Sequence, residues 1–353
     1  MTPETIDIKE RPLITFVLFA YNQERFIREA VEGALSQTYS PLEIILSDDC
    51  SLDRTYDVMQ KMTAEYKGPH KIILNRNEKN LGIGQHINQV MDLSHGELIV
   101  VAAGDDISLP YRTLEIFQAW INSGKKAFSI DSDIKWIDEN GNDFQKPFTK
   151  RLPLPKEHQL LIFSKTLYSH IHGSSHAWNR KVFDEFGLLP SIILEDTAIP
   201  ARSMILGDVL QIDKHLIKYR IHGDNIWTPT KKFSVKEIIE REVKFSTDRI
   251  IICDDVIRCI NEYKGKVKNL SFVCELEECI SNFKNSRNKQ RLKINLLTDY
   301  PLMRIYKLVK YAFFYGLKRS DQFWIACAIS ITATRLLIYC RRKIIKIVMR
   351  LSE

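Results

Sequence analysis

The sequence predicts an α/β protein: a largely parallel sheet flanked by helices, then a helical, basic extension. Three observations carry this. From Leu13 to about Pro110, short apolar runs alternate with segments of helical period. Two acidic clusters, Ser47-Asp48-Asp49-Cys50-Ser51-Leu52-Asp53 and Gly104-Asp105-Asp106, each follow such a run. After Pro229 glycine and proline become scarce and long charged helical segments take over.

In chain order, Leu13–Phe19 is continuously apolar, as in a strand buried on both faces. Phe26, Ala30, Val31, Ala34 and Leu35 recur at helical spacing. Strand Leu42–Ser47, a helix through Val58, Met59 and Met62, and strand Lys71–Leu74 come next. A helix through Ile83, Ile87, Val90 and Met91 leads to strand Glu97–Ala103. Ligands of such sheets bind beyond the carboxyl ends of the strands, where both acidic clusters fall. The middle part is mixed. A helix carries Leu114, Phe117, Trp120 and Ile121, and strand-like runs Lys126–Asp131 and Ile134–Asp138 lead to an Asn140-Gly141 turn. Leu216–Ile221 reads as a further strand. A boundary is expected near Thr228–Lys232, and no internal repeat or low-complexity segment is seen.

The 353 residues suffice for about two domains, and 44% apolar content is ordinary for a globular core. The net charge of +7 is concentrated in the last segment, where Arg304, Lys307, Lys310, Lys318, Arg319, Arg335, Arg341, Arg342, Lys343, Lys346 and Arg350 face few acids. Apolar residues such as Ile305, Leu308, Phe313, Trp324 and Ile338 alternate with them, a pattern suited to an anionic membrane surface. A helical lid or homo-oligomer contact is the alternative. Nucleic acid is not expected, because no stacking platform accompanies the charge. The apolar stretch Phe323–Thr334 stops at Arg335, too short to span a bilayer. Met1–Pro12 is polar and reads as no signal peptide. Seven scattered cysteines without a Cys-x-x-Cys pair read as reduced thiols of a cytosolic protein, with no zinc site.

Side-by-side carboxylates repel, so each acidic cluster needs a counterpart. A divalent cation bridging a diphosphate would serve the second. A hydrogen bond to a base edge would use a carboxylate of the first. Tyr21, just past the first strand, offers a face for a pyrimidine, and Asp49 an acceptor for its ring N–H. The plain alternatives are that Tyr21 packs in the core and that Asp48 or Asp49 caps a helix. Ser51 and Asp53 read as helix-start residues.

The ordered series of motifs is similar to the inverting family 2 glycosyltransferases. It runs Phe19-Ala20-Tyr21-Asn22-Gln23-Glu24-Arg25-Phe26-Ile27, Ala34-Leu35-Ser36-Gln37-Thr38-Tyr39, then Leu42 to Ser51 with Asp53-Arg54-Thr55. Asn80-Leu81-Gly82 with Asn88, Gly104-Asp105-Asp106, Gly173-Ser174-Ser175, Glu195-Asp196 and Tyr219-Arg220-Ile221-His222 with Asn225 follow in order. The resemblance covers roughly Leu13 to Trp227 and implies a GT-A fold. Residues 1–110 would be its nucleotide-sugar half, 111–229 its acceptor half and 230–353 the helical extension. It implies donor contacts from Ala20, Tyr21, Asn22, Glu24, Asp49, Asn80, Gly82, Asn88 and Asp105. Cys50 departs from the glycine usual at its position.

The resemblance further implies that Asp106 touches Mn²⁺ or Mg²⁺, with Asp105 facing ribose or sugar hydroxyls. His222 approaches the cation or diphosphate, imidazole being a common ligand for such ions. Arg220 and Asn225 are weaker phosphate candidates. Gly173, Ser174 and Glu195 would line the sugar subsites, and Asp196 at a helix start would be the base. A solvated acidic turn, a surface histidine and a helix cap are the respective alternatives. His170, His172 and His176 read as acceptor-pocket or structural residues, since Gly173-Ser174-Ser175 breaks any helix between them. The implied activity is inverting transfer from a nucleotide-diphosphate sugar, UDP-linked by the resemblance, to a glycan hydroxyl. The acceptor would be lipid-linked, at the inner face of a bacterial membrane, in surface-polysaccharide or lipopolysaccharide assembly. The rivals are a catalytically inactive glycan- or nucleotide-binding module and a sugar nucleotidyltransferase. Phe16–Arg25 lacks the glycine-rich loop with lysine that the latter needs.

Overall fold

The computed structural model describes residues 10–144, 157–223, 225 and 234–298. Its frame is β1 (Ile14–Ala20), α1 (Ile27–Leu35), β2 (Leu42–Asp48), α2 (Thr55–Glu65), β3 (Lys71–Arg76), α3 (Ile83–Leu93) and β4 (Leu98–Ala103). Each strand here follows its predecessor through a helix, and β3, β2, β1 and β4 lie side by side in parallel. β2 is buried throughout and β1 and β4 nearly so, as their unbroken apolar runs require. The inward stripes of α1 (Ile27, Ala30, Val31, Ala34) and α4 (Arg112–Asn122; Ile116, Phe117, Trp120) join Phe16, Leu18, Ile44 and Val100 in one core.

The chain then turns antiparallel. β5 (Ile107–Ser108) precedes α4, and β6 (Ala127–Ile137), α5 (Gln159–Thr166), β7 (Ala177–Asn179), α6 (Lys181–Phe186), α7 (Glu195–Leu206) and β8 (Asp208–Arg220) follow. The short β7 pairs antiparallel with both β4 and β6, so both halves share one eight-stranded sheet ordered β3-β2-β1-β4-β7-β6-β8-β5. The mixed sheet and its helices have the GT-A architecture. The two strand-like runs expected at Lys126–Asp131 and Ile134–Asp138 are a single strand, β6. Its parallel pairing with β8 slips around Ser132 and Asp133. β8 begins at Asp208, well before the expected Leu216, because its first half is polar and only partly covered.

Register fixes what emerges at the carboxyl edge. Ala20 pairs with Asp48, and Phe19 with Ser47 and Ala103. Beyond those pairs, the Asp49 N–H donates to the Ala20 carbonyl at 2.9 Å and the Gly104 N–H to the Phe19 carbonyl at 2.8 Å. Tyr21, Asp49 and Asp105 therefore leave three adjacent strands at one edge.

The chain divides into two units, residues 1–232 with 254–282, and 233–253 with 283–353. α8 (Val235–Tyr263) and α9 (Leu270–Thr298) supply the described helices of the C-terminal region. Within the first unit, buried Arg202 of α7 makes a two-pronged ion pair with Asp255 at 2.8 and 2.9 Å. Among the described residues no helix is long and apolar enough to cross a membrane. The basic segment from Arg304 to Arg350, the stretch Phe323–Thr334 and the expected boundary at Thr228–Lys232 lie outside the described residues.

Candidate active site

The loop after β1 and the loop after β2 are clasped together. The N–H groups of Asn22, Gln23 and Glu24 donate to Ser51 Oγ, Thr55 Oγ1 and Asp53 Oδ2 at 2.8, 2.7 and 3.0 Å. In return, Asn22 Oδ1 accepts from the Leu52 N–H at 2.8 Å and Glu24 Oε2 from the Arg54 N–H at 2.9 Å. Asn22 sits at φ 52°, a left-handed conformation that asparagine tolerates. Asn22 and Glu24, expected to touch a donor, thus commit side-chain oxygens to backbone amides. Ala20 is buried and its carbonyl is taken by Asp49, which makes it part of the floor. Tyr21 instead stands out, 44% exposed, with its ring available from solvent. Its expected alternative, packing in the core, does not occur.

Asp49 is buried and heavily used. Asn77 Nδ2 and the Leu81 N–H donate to its Oδ1 at 2.7 and 2.9 Å, and the Gly82 N–H donates to Oδ2 at 2.9 Å. A carboxylate accepts about four hydrogen bonds, so roughly one position remains, on Oδ2. Gly82 reaches this carboxylate through φ 71° and ψ 159°, backbone essentially reserved for glycine. Behind Asp49 a buried polar chain continues. Asn75 Nδ2 donates to Asn77 Oδ1 (3.0 Å) and Ser47 Oγ (2.9 Å), and Ser47 Oγ meets His86 Nε2 at 2.6 Å. Burial, opposed by the Asp49 charge, lowers the His86 pKa to about 4. Asn77 and His86 were not singled out from sequence. The Asn88 side-chain amide bonds the Leu189 N–H and carbonyl at 2.8 and 2.9 Å. Asn80 remains exposed on the loop before α3.

The second acidic pair is split by burial. Asp106 is 2% exposed, and its Oδ1 accepts the Arg220 N–H at 2.9 Å. Its Oδ2 is buried without a hydrogen bond of normal geometry. Burial and then the Asp105 charge push this carboxyl well above the usual carboxylate range, against the Arg220 N–H. Asp105 is more open, with 15% of its side chain exposed, and its Oδ2 lies 2.9 Å from His222 Nε2. Asp106 faces the interior, and Asp105 is the more open of the pair, beside His222.

Arg220, a weak phosphate candidate on sequence grounds, is 1% exposed and fully engaged. Its guanidinium donates to Asp105 O (3.0 Å), Asp138 O (3.4 Å), Glu139 O (3.2 Å) and Glu29 Oε2 (3.1 Å). It also lies 4.9 Å over the Phe26 ring, and that ring packs 4.9 Å from His222. It is a clamp for the acidic turn. Asn225 is likewise internal, with Oδ1 accepting the His222 N–H and Nδ2 donating to Arg220 O at 3.2 Å.

Arg112, fully buried in the first turn of α4, joins this turn to the next element. It donates to Val101 O at 2.6 Å and Ser174 O at 3.1 Å, and burial lowers its pKa to about 9. The 3₁₀ turn Gly173–Ser175 is thereby held beside β4. Gly173 sits against the carboxylate pair: a Cβ there would come 2.7 Å from Glu195 Oε1, which would have to swing aside, and 3.8 Å from the Asp196 Cβ. Glu195 and Asp196, both partly exposed, form the first turn of α7. The cap position is Leu194, without a side-chain bond. Ser169 Oγ also donates to Asp196 O at 2.7 Å. His176, by contrast, is a core residue, bonded to Ser129 Oγ at 2.9 Å. Gly173 thus sits beside Glu195 and Asp196, and its neighbour Ser174 is bonded to Arg112.

Asp105 and His222, with 15% and 9% of their side chains exposed, and the buried Asp106 carboxyl behind them suit a hard divalent cation. Such an ion takes one or two carboxylates and completes its shell with phosphate and water. Among the described residues no three His, Cys, Asp or Glu side chains gather to hold an ion unaided.

Known proteins with similar features fall in one group. The family described as glycosyl transferase family 2 matches residues 15–187. An uncharacterized protein of Mycobacterium bovis is 25% identical over 227 residues, covering 62% of this chain and 63% of that relative. The chain therefore spans a little under two thirds of that relative's length. An uncharacterized glycosyltransferase of Haemophilus influenzae is 23% identical over 261 residues, 71% of this chain and 79% of its own. The crystal structure of Staphylococcus aureus TarS residues 1–349 in complex with UDP-GlcNAc superposes with a TM-score of 0.50 at 16% identity. That match covers 87% of this chain and 93% of TarS 1–349, a likeness of fold.

Proposed function

We propose, from the premise that residues 15–187 belong to glycosyl transferase family 2, that the chain transfers a sugar from a nucleotide-diphosphate donor to a glycan hydroxyl with inversion. The observation that carries this reading is the shared carboxyl edge. There the Tyr21 ring, the Asp49 carboxylate and Asp105, paired with His222, leave adjacent strands, and Gly173 lies beside Glu195 and Asp196.

In this reading Tyr21 stacks on the base, and the remaining Oδ2 position of Asp49 accepts a pyrimidine ring N–H. A uracil nucleotide fits that single acceptor, and TarS 1–349 was crystallised with UDP-GlcNAc. Asp105 and His222 hold Mn²⁺ or Mg²⁺, with Asp106 bracing the turn from behind. The ion, when bound, neutralises charge on the departing diphosphate. Asp196 takes the proton of the acceptor hydroxyl. That oxygen forms a bond to the anomeric carbon from the face opposite the diphosphate, and the carbon–oxygen bond to phosphate breaks. The nucleoside diphosphate leaves with the electron pair. One displacement inverts the anomeric centre. The basic, apolar tail supports a lipid-linked acceptor at an anionic membrane face, in bacterial surface-polysaccharide assembly.

The test is titration with UDP and turnover of a panel of UDP-sugars in Mn²⁺. Asp196→Asn is expected to stop transfer with UDP affinity intact, and Asp105→Ala to remove the Mn²⁺-dependent part of UDP affinity. Loss of UDP binding in Asp196→Asn would make that carboxylate structural. A wild-type chain that binds no nucleoside diphosphate would end the reading.

A further inference from the structure

An ionised carboxylate can only accept hydrogen bonds, so Asp49 fixes the direction of every bond in the polar chain behind it. The Asn77 atom that meets Asp49 Oδ1 at 2.7 Å is an amide nitrogen, which leaves Asn77 Oδ1 to accept from Asn75 Nδ2 at 3.0 Å. The second hydrogen of that nitrogen goes to Ser47 Oγ at 2.9 Å, between residues paired in register on β2 and β3. Ser47 is sealed from solvent, so its own hydrogen needs a protein acceptor. Among the described residues only His86 Nε2, at 2.6 Å, can take it. The imidazole therefore accepts at Nε2 and carries its proton on Nδ1. It lies buried in α3, with the Phe19 ring edge-on at 4.8 Å. Burial lowers its pKa to about 4 and so keeps it neutral. A protonated ring would have no acceptor to offer.

The chain has one other consistent direction. Without an acceptor at position 86, the Ser47 hydroxyl turns its hydrogen on Asn75, whose amide must then present Oδ1. Asn77 follows and sets its own Oδ1 against Asp49 Oδ1, two acceptors at a spacing of 2.7 Å. Such a contact persists only if Asp49 binds a proton or swings away. Either change spoils the position left open on Oδ2, beside the Gly82 N–H at 2.9 Å. The state of Asp49 is thus set from the far end of the chain, four hydrogen bonds away.

We propose that His86 is a positioning residue for donor choice: by accepting the Ser47 hydrogen, it keeps Asp49 a fixed, acceptor-only reader of the base. Such a reader admits a base with a ring N–H, as in uracil. It rejects one that presents a bare ring nitrogen at the same place, as in cytosine, because two acceptors then face each other. This role rests on the transferase reading, in which Asp49 meets a pyrimidine edge. It adds a buried residue, remote from the nucleotide, that decides which base is taken.

The experiment is calorimetric titration of the full chain with UDP and, separately, CDP, both in Mn²⁺. The wild type is expected to favour UDP. His86→Leu keeps an apolar filling but no acceptor, and should lose about tenfold or more of the UDP-over-CDP preference. His86→Gln carries an acceptor oxygen that can replace Nε2, and should recover most of it. A merely structural histidine would weaken both nucleotides alike. An unchanged ratio in His86→Leu, an equal loss for the two nucleotides, or no recovery in a folded His86→Gln overturns the role of His86. If circular dichroism shows His86→Leu unfolded, Ser47→Ala, which cuts the same link, decides by the same ratio. A wild type that binds UDP and CDP equally overturns base reading by Asp49 and the role of His86 with it. A wild type that binds neither overturns the function beneath them.

Discussion

Arg220→Lys is the most telling perturbation of the acidic turn. The guanidinium reaches four acceptors from a buried position, three of them backbone carbonyls. One ammonium cannot cover them. Hydrogen bonds from a charged donor contribute ~1.5–3 kcal/mol each. The Glu29 contact deserves less, at most about 1 kcal/mol, because that carboxylate is half in water. Allowing lysine to keep one carbonyl, two buried bonds are lost, about 3–6 kcal/mol. At ~2 °C per kcal/mol, the low end for large domains, the melting midpoint should fall by roughly 6–12 °C. The functional readout is separable. UDP affinity without cation should hold, since the clamp lies away from Tyr21 and Asp49. The gain in UDP affinity on adding Mn²⁺ should shrink, since Asp105 loses the bond that fixes its backbone. Thermal unfolding by circular dichroism and calorimetric UDP titration measure the two. A midpoint shift below about 2 °C with the Mn²⁺ gain intact would refute the clamp.

Gly82→Ala places a Cβ in open space but forces a glycine-only backbone, so it should cost about 1–3 kcal/mol and weaken UDP binding through the lost Gly82 N–H to Asp49. Unfolding and UDP titrations check it. Asn77→Ala leaves Asp49 Oδ1 short of one donor and should lower UDP affinity with smaller effect on kcat, a split read by steady-state kinetics. His176 gives a pH signature. Burial, then nearby Arg112, lowers its pKa to about 3, so only the unfolded chain takes the proton as pH falls below about 6.5. Its contribution to stability is therefore present at neutral pH and declines by about 2 kcal/mol between pH 7 and pH 5. His176→Gln should show a correspondingly shallower loss in urea unfolding over that interval; identical slopes would remove the claim.

The sequence determined the strand–helix frame because buried parallel strands must be continuously apolar and their flanking helices amphipathic. Leu13–Phe19, Leu42–Ser47 and Glu97–Ala103 carried that signal, and the acidic clusters at their ends marked the edge where chemistry gathers. It did not determine which carboxylate faces outward. Asp105 and Asp106 are identical in type and adjacent, and only the Arg220 N–H, arriving from β8, turns Asp106 inward. The same holds for Asn22, Glu24 and Asn88, whose side chains meet backbone groups far along the chain. Long-range hydrogen bonds leave no local periodicity. Arg112 and Asn77 were invisible for that reason, and tertiary packing alone brought them beside the acidic clusters.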